Sequence, residues 1–214
     1  MKEITTDFDL NCRACPRLAN FLDKNGAEHP DYHARPVPPF GVKNPKLLIV
    51  GLAPGMHGAN ATGRPFTGDY AGSILYEMLY KFNYSNKPES VSADDKLKLK
   101  QCRITNAVKC LPPENKPTAD EIKTCNVYLK NEINGLKKGT VIMALGGIAH
   151  KAVLRALALK QSQYPFGHGT EYHLECDLIL VSSYHCSRYN TSTKRLTPQM
   201  FENVFKQIDN LLGR

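Results

Sequence analysis

Lys46-Leu-Leu-Ile-Val50, preceded by Pro45 and closed by Gly51, is apolar at four successive positions and shows no polar alternation. A strand with one wet face alternates; a strand apolar throughout has both faces covered, as the inner strands of a parallel sheet do. Three more β-rich runs resemble it: Arg103-Ile-Thr-Asn-Ala-Val108, Thr140-Val-Ile-Met-Ala-Leu145 and Asp177-Leu-Ile-Leu-Val-Ser182. Helical spacing separates them. After Asp69, a good N-cap, apolar residues fall at Ala71, Ile74, Leu75, Met78, Leu79 and Phe82. Thr118 or Asp120 opens the next helix; Ile148, Val153, Leu154 and Leu157 follow Gly146-Gly147; a last helix runs from Pro198 through Phe201, Val204, Phe205, Ile208 and Leu212. Strands alternating with helices predict an α/β fold, a three-layer α/β/α sandwich around a central four-stranded parallel sheet with right-handed crossovers. Ligands in such folds sit beyond the carboxyl ends of the strands.

Working outward, the 214 residues, 42% hydrophobic, make one domain spanning 1–214. Residues 24–45, with five prolines, read as an extended surface segment, and residues 83–100, rich in Asn, Ser, Lys and Asp, as a solvated connection. No run approaches the ~18 apolar residues of a membrane span. The opening Met1-Lys-Glu-Ile-Thr-Thr-Asp7 carries charges where a secretory leader needs an apolar core, so a soluble, cytoplasmic protein is expected. Lys and Arg number 28 against 20 Asp and Glu, a net charge of +8 that favours polyanions through counterion release. Nucleic acid is the leading partner class, although many basic proteins bind none.

The seven cysteines are an odd number and are not spaced as a small disulfide framework. Cys12 and Cys15 form a C-x-x-C pair before Pro16, while Cys110 and Cys125 stand far downstream. Two thiolates three residues apart share one metal or cluster, and a tight turn or helix start aims both the same way. Four sulfurs suit zinc or a 4Fe-4S cluster. Zinc ribbons usually bring a second close pair, which is missing here and favours iron–sulfur. The plain alternative is a redox pair with the other thiols buried as small hydrophobes. Cys102 and Cys176 are read as core residues.

The first strand runs into Gly51-Leu52-Ala53-Pro54-Gly55-Met-His-Gly58-Ala-Asn60-Ala-Thr-Gly63-Arg-Pro-Phe66-Thr-Gly68-Asp69. Its glycines permit close approach of main-chain N–H groups to a carbonyl or phosphate. The spacing is neither G-x-G-x-x-G nor a P-loop, so bound NAD or ATP is unsupported. The second strand ends at Asn106 and the fourth at His185, over the same edge. An amide and an imidazole together read the carbonyl and N–H edge of a pyrimidine. Singly, Asn106 also fits a turn, His185 a satisfied histidine and Asp69 a mere N-cap.

These motifs, with Thr105-Asn-Ala-Val-Lys-Cys110 and Ser183-Tyr-His-Cys-Ser-Arg-Tyr-Asn190, resemble those of family 5 uracil-DNA glycosylase, the B-type iron–sulfur branch of its superfamily, from about Cys12 to the last helix. The resemblance implies a 4Fe-4S cluster on Cys12, Cys15, Cys110 and Cys125 and a monomeric, nucleoid-associated enzyme. It implies removal of uracil from DNA, and of hypoxanthine or other damaged bases, to leave an abasic site. Asp69 matches the family's catalytic carboxylate, which positions water or stabilises an oxocarbenium-like sugar. His185 donates to the pyrimidine O2 as charge develops, Phe66 stacks on the flipped base, and Asn106 bonds its edge. Backbone around Gly51, Leu52, Ala53, Pro54 and Gly55 completes the pocket, with Asn60 a further lining candidate. Family 4 has an acidic residue where Leu52 stands. The third motif departs from its commoner His-Pro-Ser form, with Cys186 after His185. Arg188, Tyr189 and Asn190 suit DNA contact, one of the first two as a wedge. Two other readings stand beside this one: a non-catalytic iron–sulfur DNA-binding module, and a zinc-stabilised protein acting on nucleotides.

Overall fold

The computed structural model of the chain describes residues 7–214; Met1–Thr6, on which the reading of the amino terminus rested, lie outside the described residues. Six strands form one sheet: β1 (Phe40–Gly41), β2 (Leu47–Gly51), β3 (Cys102–Asn106), β4 (Val141–Leu145), β5 (Glu171–His173) and β6 (Ile179–Ser183), in the order β1-β3-β2-β4-β6-β5. The inner four are parallel, as expected. The sheet differs from four strands by two short antiparallel edges, β1 on β3 and β5 on β6. At two and three residues these edges are too short to show any period along the chain.

Period two divides the strands between two helical layers. Leu47, Ile49, Ile104, Met143 and Val181 pack against α3 (Tyr70–Lys81) and α7 (Pro198–Leu211). Leu48, Val50, Ile142, Ala144 and Leu180 pack against α4 (Ala119–Asn134) and α5 (Gly147–Ala156). Each fully buried Leu, Ile or Val contributes about 1.5–3 kcal/mol, so a polar residue at any of these positions would break a layer. The helix starts follow their caps. Asp69 accepts from the Gly72 N–H, Thr118 and Glu121 form a reciprocal capping box, and Thr197 caps α7 with Pro198 in its first turn. Two short helices, α2 (Ala59–Thr62) and α6 (Arg188–Ser192), lie in the loops after β2 and β6.

Three expectations change. Helix α1 (Pro16–Glu28) enters the segment expected to be extended at 24–45, carried by Leu18 and Leu22 against Val108, Leu111 and Tyr128. Residues 83–100 are not a solvated connection: Tyr84, Leu97 and Leu99 are buried, and Ser85 bridges Leu99. Cys102 is in the core, whereas Cys176 sits exposed on the turn between β5 and β6. Among the described residues no helix is long and apolar enough to cross a membrane.

Candidate active site

In the parallel core the chain passes from β2 to β3 on one side and then to β4 on the other, a reversal that opens a crevice at the carboxyl ends. The strands are in register there, Gly51 opposite Asn106 and Leu145 opposite Ser183. A cavity of about 650 Å³ lies beyond this line, and Leu52, Ala53, Gly55, Phe66, Asp69, Asn106 and His185 share its wall. Residues as far apart in sequence as Leu52 and His185 thus meet because four strand ends are aligned.

The two carboxylate oxygens of Asp69 have different surroundings. Oδ1 accepts from the Gly72 N–H at 2.7 Å, capping α3. Oδ2 lies against Gly55 and Gly58, where a β-carbon on Gly58 would stand 2.6 Å from it. Burial raises the carboxyl above its usual range, against the lowering effect of the Gly72 and Ala71 N–H groups. A partly desolvated carboxylate of this kind is a better base than one in water.

Phe66 is buried with a left-handed backbone, φ 54°, and its ring lies over Gly51. Any side chain at Gly51 would strike that ring and the Asn106 amide, so glycine is required by close approach rather than by dihedral freedom. Asn106 is 3% exposed, and its Oδ1 has no hydrogen-bond partner among the described residues. Such an atom costs about 1–3 kcal/mol unless something fills the bond.

His185 stacks on Phe66, ring centroids 5.9 Å apart at 25°. Burial lowers its imidazole to about 4, so the ring is neutral near pH 7 and offers one N–H. Gly146, at φ 95° where side chains are strained, sits directly beside the His185 β-carbon. Cys186, in place of proline, is fully buried and its Sγ donates to the Ala71 carbonyl at 3.4 Å, tying this loop to the first turn of α3.

Not every expected residue reaches the cavity. Asn60 is fully buried on α2, with its amide directed at Asn25 and the Met56 carbonyl at 3.5 Å each, and it does not line the wall. Gly51 and Pro54 lie behind the lining. Arg188 and Tyr189 stand at the mouth, Tyr189 71% exposed and Arg188 over the Tyr70 ring at 5.1 Å. Asn190 also lines the mouth, but its side chain donates to the His185 carbonyl at 2.8 Å, so it braces the loop. Missed from sequence were Asn115, Phe166 and Tyr184, which share the wall. Tyr184 was legible as the neighbour of His185. The ring is sandwiched between His168, 5.1 Å away, and Arg195, 4.7 Å away. Phe166 carried no local signal.

Cys12, Cys15, Cys110 and Cys125 line one small cavity between α1, α4 and the segment after β3. Cys15 is the N-cap of α1, whose first amides have no side-chain cap, and the Lys109 N–H donates to Cys125 Sγ at 3.3 Å. Burial and the neighbouring sulfurs push the Cys15 thiol up to about 11, and burial raises Cys110 and Cys125. Among the described residues no three His, Cys, Asp or Glu side chains converge as ligands of a single metal ion.

The model of the uracil DNA glycosylase superfamily matches residues 38–209. A type-5 uracil-DNA glycosylase of Thermus thermophilus is 44% identical over 207 residues, covering 94% of each chain. Those of Mycobacterium bovis and Pyrobaculum aerophilum are 42% and 40% identical, covering 94% and 92% of this chain and 78% and 88% of their own. These matches take in the Asp69, Asn106 and His185 loops together with the strands that align them, and the chain belongs to the uracil-DNA glycosylase superfamily, in its type-5 branch.

Proposed function

We propose that this chain is a monofunctional glycosylase that hydrolyses the N-glycosidic bond of uracil in DNA and leaves an abasic site. The observation that carries this reading is that buried Asn106, whose Oδ1 has no hydrogen-bond partner among the described residues, lines a cavity together with the Asp69 carboxylate and the neutral His185 imidazole. A flipped uracil supplies the missing partner: its N3–H donates to Oδ1 while the amide NH₂ donates to O4. Phe66 stacks on the ring. As the bond breaks, electrons pass to the base and positive charge to the sugar. His185 donates its N–H to O2, and Asp69 Oδ2 faces the cationic sugar and orients the water that adds to C1′. Only one Asp69 oxygen caps the helix, which argues against a purely binding module.

Arg188 and Arg195 at the mouth supply phosphate contacts, and exposed Tyr189 fills the gap left in the stack. The wall near the base is small, with Ala53, Gly55 and Ala71, and leaves room for the larger ring of hypoxanthine. The four cysteines would hold a 4Fe-4S cluster. Their shared cavity, the helix start at Cys15 and the N–H on Cys125 Sγ support this. Bound there, the cluster would supply a covalent cross-link between α1, α4 and the segment after β3. The protein acts as a monomer on nucleoid DNA in the cytoplasm.

The test is an end-labelled duplex with one uracil, incubated with anaerobically purified protein and treated with alkali beside an undamaged control. Breakage at uracil only after alkali is expected. No breakage from brown, DNA-binding protein overturns the assignment. The neutral His185 adds a pH prediction. Its pKa is lowered by burial, so protonation sets in as pH falls toward about 4 and not at the usual value near 6.5. His185 protonation therefore adds no step to single-turnover rates between about pH 8 and 6. An inflection near 6.5 that vanishes in His185→Asn would refute the neutral donor.

A further inference from the structure

Residues 83–100 close over the Gly63–Asp69 turn and are fastened to it by a buried ion pair. Arg64 Nη1 reaches Asp95 Oδ1 at 2.7 Å and Ser90 Oγ at 3.0 Å, and Nη2 donates to the Ala93 carbonyl. The two charged side chains are 7% and 8% exposed. Phe40 covers the guanidinium at 4.4 Å. Asp95 also accepts from the N–H groups of Val91 and Leu97, both at 2.9 Å, so one carboxylate shapes the segment and receives the arginine. Burial by itself would raise this carboxyl, yet these hydrogen bonds hold it at about 2, charged throughout the working range. Two more ties follow: Thr67 Oγ1 with Ser90 Oγ at 2.7 Å, and the Gly68 N–H to the Ser90 carbonyl at 3.3 Å.

Between Arg64 and Thr67 lies Phe66, an aromatic residue at φ 54°. A left-handed backbone is unfavourable for a residue with a β-carbon and persists where surrounding contacts determine it. The contacts are present on every side. Tyr76 donates to the Pro65 carbonyl at 3.0 Å, and Gly72 lies so close beneath the Phe66 carbonyl that a β-carbon there would overlap it. The strap supplies the rest. An ion pair taken out of water is weak support for stability, but removing one partner strands the other charge.

Resting on the glycosylase reading above, we propose that Arg64, Ser90 and Asp95 are positioning residues for base excision. Their hydrogen bonds hold the 63–69 turn so that the Phe66 ring lies on Gly51 and beside His185, with the Asp69 carboxylate at the cavity wall. None of the three touches the cavity, so the substrate feels them only through Phe66 and Asp69.

Asp95→Asn and the milder Ser90→Ala test this, beside Val204→Ala in α7 as a remote core variant that lowers the melting temperature. Single-turnover excision of uracil is measured well below every melting transition, with DNA affinity determined separately. The His185 ring-proton resonance, displaced by the stacked Phe66 ring, is followed in the same variants. Asp95→Asn should slow excision about 10- to 100-fold, with DNA affinity within about twofold of the parent and the resonance returned toward its ordinary position. Ser90→Ala should move both readouts less in the same direction, and Val204→Ala neither. Rates within about twofold and unmoved resonances in both strap variants would overturn the proposal, as would equal losses in Val204→Ala. If the parent protein cleaves no uracil, the uracil reading falls by itself, and the resonance decides whether the strap places Phe66.

Discussion

Asp69→Asn is expected to fold, to bind uracil-containing DNA as the parent does, and to excise uracil about 100- to 1,000-fold more slowly, the loss typical of deleting one preorganised electrostatic group. The substitution separates the two jobs of this side chain. Asn is as good an N-cap as Asp, so the bond from the Gly72 N–H survives. What disappears is the negative charge that the proposed mechanism sets facing the sugar and the attacking water. Asp69→Ala would add the loss of the cap, about 1 kcal/mol, and blur the result. Thermal melts beside single-turnover rates settle the matter. A variant that melts with the parent and cleaves at a rate within about twofold would remove Asp69 from the chemistry and leave it as an N-cap.

Cys125→Ser is expected to abolish the brown colour and bound iron, and to lower the melting temperature steeply, because metal binding at a structural site is itself folding free energy, on the order of 10 kcal/mol for four-ligand sites. The consequence reaches the active site through hydrogen bonds. The segment after α1 is tied by the His33 N–H to the Ala61 carbonyl at 3.0 Å and by the Val37 N–H to the Lys109 carbonyl at 2.7 Å. Releasing α1 from Cys110 and Cys125 therefore loosens the Gly55–Gly63 loop and the end of β3 together. Cys176→Ser, at an exposed thiol far from the four, should change nothing. Metal analysis and visible absorption on anaerobic protein check this. Colourless parent protein with stoichiometric zinc would overturn the cluster and restore the zinc reading.

Much of this molecule is legible from local pattern. The two central strands, β2 and β4, show themselves because burial on both faces favours an unbroken apolar run, a condition visible within five residues. Thr118 and Glu121 announce α4 because a capping box is a three-residue interaction. Asn106 and His185 could be chosen because they stand at or just beyond the ends of β3 and β6, and Asp69 because it closes the glycine-rich loop after β2 and matches the resembled motif; the parallel order brings those strand ends together. Other residues misled for a physical reason. Asn60 has the composition of a pocket residue, yet the turn of α2 directs it inward to Asn25. Asn190 follows two exposed residues and looked like a third, but its amide is consumed by the His185 carbonyl.

The sequence by itself determined the α/β class and the sheet's parallel core, and so the edge on which the strand-end motifs lie, because each depends on residues within a turn or strand of one another. Tertiary structure alone decided which residues share the cavity, that one Asp69 oxygen caps a helix while the other lies against Gly55 and Gly58, and that Arg64 meets Asp95 across 31 residues. Those outcomes depend on how surface loops fold back on the core. Their contacts are side chain to distant side chain or backbone, with no period along the chain to announce them.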